Sequence, residues 1–229
     1  GSDVMTFSIS GYCEKTGMLG VAITTSSICV ASRCPWVRAG VGAAVTQNVT
    51  DPSLGNSMLD YLQKGLSVNK SIEKIVSENN FIEYRQLALV DSKGNVASYT
   101  GSKTLGNNSV SEGEHCIAAG NLLISDKVVS NMTDFFSSNK NLHLAERLLL
   151  SLQAGLDAGG EEGPVHSAGI KVVHKYLWPL VDLRIDWADE EPLTDLMKLW
   201  HAYEPQMIDY TARAIDPSKA PSYGVPGDL

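Results

Sequence analysis

The chain has 229 residues, a net charge of −8, 43% hydrophobic and 19% charged residues, a balance that fits a globular protein with a substantial core. Its Lys and Arg residues are scattered without a run, which argues against a nucleic-acid partner, because phosphate binding needs a concentrated basic face. No apolar stretch approaches the ~18–20 residues needed to cross a bilayer, so no membrane association is expected.

The first strand is predicted over Thr6–Tyr12, with Phe7 and Ile9 on one face and Thr6, Ser8 and Ser10 on the other. A turn at 14–17 and a return strand over Leu19–Thr25 make a hairpin. The Gly-, Ala- and Val-rich stretch 37–49 reads as one or two further strands. Asp51-Pro52 is a helix start, followed by Leu54, Met58, Tyr61 and Leu62 at helical spacing, and Ile72, Ile75 and Val76 mark a second helix after Gly65. Strands follow over Gln86–Val90, Val96–Thr100 and His115–Leu123.

Ser125 caps a helix carrying Val128, Val129, Met132, Phe135 and Phe136, and Leu144 to Leu156 form another that ends at Gly159-Gly160. His166–His174 and Leu180–Asp186 read as a strand pair. Leu193, Leu196, Met197, Trp200 and Tyr203 make a last amphipathic helix, and residues after about Met207 read as an extended tail. The expected organisation is a leader or cloning residues over 1–5, one domain over 6–207 and an extended tail over 208–229. Paired helices between groups of hairpin strands do not fit a doubly wound parallel sheet. They fit an α+β, four-layer αββα sandwich: two antiparallel sheets flanked by helices.

Cys13, Cys29, Cys34 and Cys116 form no CxxC pair and no zinc pattern. Free thiols, a reducing compartment and hence a cytoplasmic location are the expectation, as no signal-peptide blocks open the chain. His115, His166 and His174 lack a ligating carboxylate motif, so no metal or other cofactor is expected. Asp182, Arg184 and Asp186 alternate on one strand face and read as a charge ladder.

Several segments together resemble one bacterial family. They are Thr6-Phe7-Ser8-Ile9, Gly20-Val21-Ala22, Trp36 through Ala43, Thr46-Gln47, Tyr84 through Leu87, Thr100-Gly101, Gly120-Asn121-Leu122 and Ala145 through Leu149. The family is domain of unknown function 1028, which itself resembles the N-terminal-nucleophile (Ntn) hydrolases, and the likeness runs from Thr6 to about Trp200. It implies the αββα sandwich and hydrolysis of an amide bond by a Thr at the mature N-terminus. Members typically begin Met-Thr, matching Met5-Thr6, so removal of residues 1–5 would free an α-amine on the residue that bears the nucleophilic hydroxyl. Such an amine titrates near pH ~7.7–8.0 and serves as a base at neutral pH.

The resemblance further implies that Arg38 is the basic residue that tunes this amine electrostatically. Ser8, one strand period from Thr6, joins Thr6 and Arg38 as a catalytic candidate, and Ser26-Ser27 would orient the Thr6 hydroxyl or amine. Gly40, Gly42 and Ala43 either present backbone N–H groups to an oxyanion or simply allow tight strand packing. Ser26 and Asn121 complete the substrate-binding candidates. The loop Gly160-Glu161-Glu162-Gly163-Pro164 lacks the basic residues that many members carry, so a shared anionic substrate is not implied. The expected partners are a small-molecule or peptide-like amide substrate and further copies of the chain as a homo-oligomer. The alternative reading is a non-catalytic ligand-binding or assembly protein on the same scaffold.

Overall fold

In the computed structural model, which describes residues 5–159 and 164–224, ten strands form two antiparallel sheets. The strands are β1 (Thr6–Tyr12), β2 (Leu19–Thr25), β3 (Pro35–Arg38), β4 (Gly42–Asn48), β5 (Arg85–Asp91), β6 (Val96–Thr100), β7 (Ser109–Gly113), β8 (Cys116–Asn121), β9 (Ser167–Val173) and β10 (Val181–Ile185). The first sheet runs β10-β9-β2-β1-β8-β7 and the second β3-β4-β5-β6. Five helices accompany them among the described residues: α1 (Ser53–Gln63), α2 (Val68–Glu78), α3 (Lys127–Ser138), α4 (Leu144–Asp157) and α5 (Pro192–Ile215).

Strand alternation sorts the apolar residues into three layers. Phe7, Ile9, Ala118 and Ile170 face α3, α4 and α5, where Met132, Phe136, Leu148, Leu152 and Trp200 complete the outer core of the first sheet. Leu19, Val21, Ile23, Ile117 and Ala119 face the second sheet and meet Ala43, Val45, Ala88 and Val90. The far side of the second sheet, with Ala44, Leu87 and Leu89, is covered by α1 and α2 through Met58, Leu59, Ile72 and Ile75. The order of layers is therefore α, β, β, α, as expected.

The predicted helix starts are present in detail. Asp51 Oδ1 accepts the Ser53 N–H (3.0 Å) at the head of α1. Ser125 Oγ accepts the Lys127 N–H (3.3 Å) at α3. Four cysteines are free thiols, and Arg184 Nε pairs with Asp186 Oδ1 along β10 at 2.7 Å. No helix is long and apolar enough to cross a membrane among the described residues.

Two elements differ from the sequence expectation. Strand β7 was not foreseen, because Ser109–Gly113 is a polar edge strand with Val110 as its one aliphatic residue, and edge strands lack the buried face that creates alternation. The tail predicted over 208–229 is also corrected: α5 continues to Ile215, through Pro205. Met207 lies on the same helical face as Trp200 and Tyr203 and is buried, so core packing outweighs the hydrogen bond that Pro205 cannot make. Beyond the helix the chain folds back, with Arg213 donating to the carbonyls of Pro221 (2.9 Å) and Ser222 (3.1 Å). The 160–163 part of the loop discussed above, and residues 1–4 of the leader, lie outside the described residues.

Candidate active site

The register of the first sheet lines up four polar residues in one row. Ser167 pairs with Thr25, Thr25 with Thr6, and Thr6 with Asn121. Directly paired residues in antiparallel strands project to the same side, and this row faces the second sheet. All four are buried. Opposite them, Gln47 of β4 pairs with Gln86 of β5, which pairs with Thr100 of β6. One end of the inter-sheet space is thus polar, while the rest is largely aliphatic.

Hydrogen bonds join the two rows. Ser8 Oγ donates to Gln47 Oε1 (2.8 Å), Gln47 Nε2 to Gln86 Oε1 (2.8 Å), and Gln86 Nε2 to the carbonyl of Gly120 (3.1 Å) beside Asn121. The Thr6 hydroxyl lies 2.9 Å from Thr25 Oγ1. Thr25 Oγ1 itself donates to the Met5 carbonyl at 2.6 Å, which uses its single proton. The Thr6 hydroxyl is therefore the donor to Thr25, and its own lone pairs accept no hydrogen bond among the described residues.

Met5 immediately precedes β1, and its carbonyl is tied to this end of the row through Thr25. Its N–H donates to Ser26 Oγ (3.0 Å), and its carbonyl also accepts the Ser26 N–H (3.0 Å). Its side chain is 3% exposed within the outer core. The Thr6 nitrogen is an amide here and no base.

Asn121 is the most unusual residue of the row. It is wholly buried, yet neither its Nδ2 nor its Oδ1 has a hydrogen-bond partner among the described residues. An orphaned buried polar group costs about 1–3 kcal/mol. Leu122, which follows it, has φ 50°, and Asn48, which ends β4 next to Gln47, has φ 77°. Asn tolerates this left-handed region, whereas Leu pays roughly 1–2 kcal/mol for it. The segment at 105–107 holds the strained turn in place: Leu122 N–H donates to the Leu105 carbonyl (3.1 Å), Leu123 N–H to the Asn107 carbonyl (2.9 Å), and Asn107 Nδ2 to the Leu123 carbonyl (3.1 Å).

The structure brings together Thr6, Ser8, Ser26 and Asn121 from the sequence candidates, but not Arg38, Gly40, Gly42 or Ala43. Gln47, the β4 neighbour of Ser8, is five residues from Gly42, or about 16 Å along the strand. Arg38 pairs with Gly42 and turns to α1, donating to Asp60 Oδ1 and Gln63 Oε1, both at 2.8 Å. Gly40 has φ 71° in the hairpin turn, where glycine meets a conformational need, and Ala43 packs in the inter-sheet core. Arg33 is the guanidinium linked to the row, through Nη2 to Ser27 Oγ (3.2 Å) and Ser27 Oγ to Thr25 Oγ1 (3.4 Å). A one-turn 3₁₀ segment, Val30–Ser32, entered through Cys29 at φ 57°, directs it there. No periodicity announces such a turn. Thr25, Gln47 and Gln86 were also missed: Thr25 stands opposite Thr6 in the predicted hairpin, which is the signal that would have found it, whereas Gln47 and Gln86 reach the row only across the two sheets.

Thiol chemistry has no support at this site. Burial pushes the Cys34 thiol up and the Cys116 thiol up to about 12, so neither forms a thiolate near neutral pH. Among the described residues no group of His, Cys, Asp and Glu has the arrangement to hold a metal ion.

Fold and site together define an α+β sandwich with an uncharged, hydroxyl- and amide-lined site between its sheets. The chain belongs to the family of unknown function DUF1028, whose model matches residues 6–196. It is similar to a solved structure of that family, protein SPO2555 from Silicibacter pomeroyi, with a TM-score of 0.83 and 30% identity over 90% of this chain and 89% of that one. Anbu (ancestral beta-subunit) from Yersinia bercovieri aligns with a TM-score of 0.39 and 11% identity, covering 96% of this chain and 100% of that one, a likeness too low to carry an argument. No curated protein matches the chain.

Proposed function

We propose that the protein is an amidohydrolase of the N-terminal-nucleophile type, with Thr6 as nucleophile once Met5 and the residues before it are removed. The observation that carries this reading is the Asn121 amide, buried and unpaired, in register with the Thr6 hydroxyl. An amide presents one donor side and one acceptor side, the complement of a substrate amide.

In the proposed reaction the Thr6 α-amine takes the hydroxyl proton and Oγ1 bonds to the substrate carbonyl carbon. The C–N bond breaks, the departing amine takes the proton from the Thr6 ammonium, and water then hydrolyses the ester. Loss of Met5 would free the Ser26 N–H and the Thr25 hydroxyl, which now hold the Met5 carbonyl, to stabilise a developing oxyanion. Arg33 would act electrostatically through Ser27 and Thr25. A homo-oligomer belongs to the same reading, and sedimentation of the purified chain at monomer mass would remove that part.

The test starts from a chain that begins at Met5, with Thr6 confirmed as first residue by mass. Turnover of activated amides or esters, and labelling of Thr6 by a hydroxyl-directed electrophile, are the expected results. Thr6→Ala should abolish both, and Asn121→Ala should slow turnover by about 10²-fold. A Thr6-first protein that neither turns over nor labels sinks the proposal.

One observation favours the alternative, a non-catalytic binding protein: Met5 is built into the core and blocks the amine. On that reading ligand affinity survives Thr6→Ala and is indifferent to the removal of residues 1–5. A large loss of affinity in Thr6→Ala counts against it.

A further inference from the structure

The opposite end of β1, about 20 Å along the strand from Thr6, holds a second group that the proposed reaction does not use. Arg147, on α4, is 4% exposed. Its Nε donates to the Phe136 carbonyl at 2.7 Å, and its guanidinium lies on the Phe136 ring, 3.5 Å from the centroid. That ring is seated against β1 because residue 11 is glycine; a Cβ there would stand 2.6 Å from the ring. Since Phe136 is in the last turn of α3, the cation also complements the helix dipole.

These contacts account for Nε and for one face of the guanidinium. They leave the two η nitrogens, which find no hydrogen-bond acceptor among the described residues. No carboxylate of the described residues lies at ion-pair distance from them either; the neighbouring Glu114 instead binds Lys140, Oε2 to Nζ at 3.0 Å. Burial draws the Arg147 pKa down, against the pull of neighbouring Cys13, Cys116 and Glu114, yet a guanidinium remains charged in proteins. A largely buried cation that has no counter-ion among the described residues and reaches solvent only at its η nitrogens is a costly arrangement.

Arg147 borders a cavity of about 70 Å³ that Lys15, Lys140 and His115 also line, together with the carboxylates of Glu14 and Glu114. We propose that this cavity is a binding site for a small phosphate-type oxyanion, held by the Arg147 η nitrogens with the Lys140 and Lys15 ammonium groups at its edge. The guanidinium fork matches two oxygens of such an anion. Water would satisfy the N–H groups but not the charge. Three cations against two carboxylates leave a net positive site, and the carboxylates set its limit on affinity. The volume takes a phosphoryl group and excludes the body of a large ester.

Titration of inorganic phosphate into the full chain at constant ionic strength, followed by calorimetry and ³¹P nuclear magnetic resonance, tests this. One saturable site is expected. Lys140→Ala should weaken binding about tenfold and Glu114→Gln should tighten it by a similar factor, shifts of opposite sign from two exposed positions that leave the core intact. Arg147→Met should abolish binding; if it fails to fold, the opposed shifts of the two exposed variants decide. Glycerol phosphate competing as well as phosphate would identify a phosphoryl terminus as the ligand, and failure to compete would identify the free anion. Absence of saturable binding, or binding indifferent to Lys140→Ala and Glu114→Gln, overturns the proposal and leaves Arg147 as a helix cap.

Discussion

At the scale of single residues, Asn121 would separate stability from the proposed function. A buried amide with no partner is destabilising where it stands, and an apolar side chain of similar size removes the cost. Asn121→Leu should therefore leave the urea midpoint unchanged or raise stability by about 1 kcal/mol, while turnover by the Thr6-first protein is lost. A clear loss of stability in that variant would mean the amide has a partner in the folded chain and is not reserved for a substrate. Leu122 makes the same point from the backbone: its left-handed conformation is held by the 105–107 segment, and such strain persists only where the surroundings impose it.

At the scale of elements, the segment after β6 is tied down by Glu83. The Tyr99 hydroxyl donates to one carboxylate oxygen and the Ser102 N–H to the other at 2.8 Å. The Tyr99 bond foremost, with the Ser102 bonds next, holds the carboxyl down at about 2, against an ordinary value of 4.5. A depressed carboxyl stabilises the fold at pH above its unfolded value, and that contribution disappears as pH falls through the folded one. The melting temperature should accordingly decline between about pH 4.5 and pH 2, and Glu83→Gln should flatten part of that decline. An identical profile in the variant would remove Glu83 as the anchor. Most elements could be read from apolar spacing: α1 and α4 bury one face each, and β1 carries its apolar residues on one face and its hydroxyls on the other. Spacing fails where burial is not the organising force, as in the polar edge strand β7. It also fails for contacts made across the two sheets. Thr6, Ser8 and Asn121 were readable as strand residues of a recognisable pattern, but Gln47 and Gln86 join them only through the facing of two sheets, and Arg33 only through a single irregular turn.

At the scale of the whole molecule, α5 ties the end of the chain to the outer core. Trp200 and Met207 are both buried there, and the Tyr203 hydroxyl donates to the Leu180 carbonyl at 2.7 Å. A chain ending at Gln206 loses Met207 and the helix beyond it and should be destabilised by about 2–5 kcal/mol, visible in its melting temperature. A chain ending at Ile215 should melt close to the full chain. Equal melting of both would show that residues 207–215 add nothing to the core.

If Thr6 is exposed as proposed, the burial of Met5 would shape how the protein matures. Cutting before Thr6 would withdraw a core side chain and the hydrogen bonds that Met5 shares with Thr25 and Ser26, so the shortened protein should be less stable than its parent by about 2–5 kcal/mol. Comparative denaturation of the two forms measures this directly. The precursor would then be the better folder and the cut form the better catalyst. Because a hydrolysed peptide bond does not re-form under these conditions, maturation would run in one direction, from a sealed and durable molecule to an open and shorter-lived one.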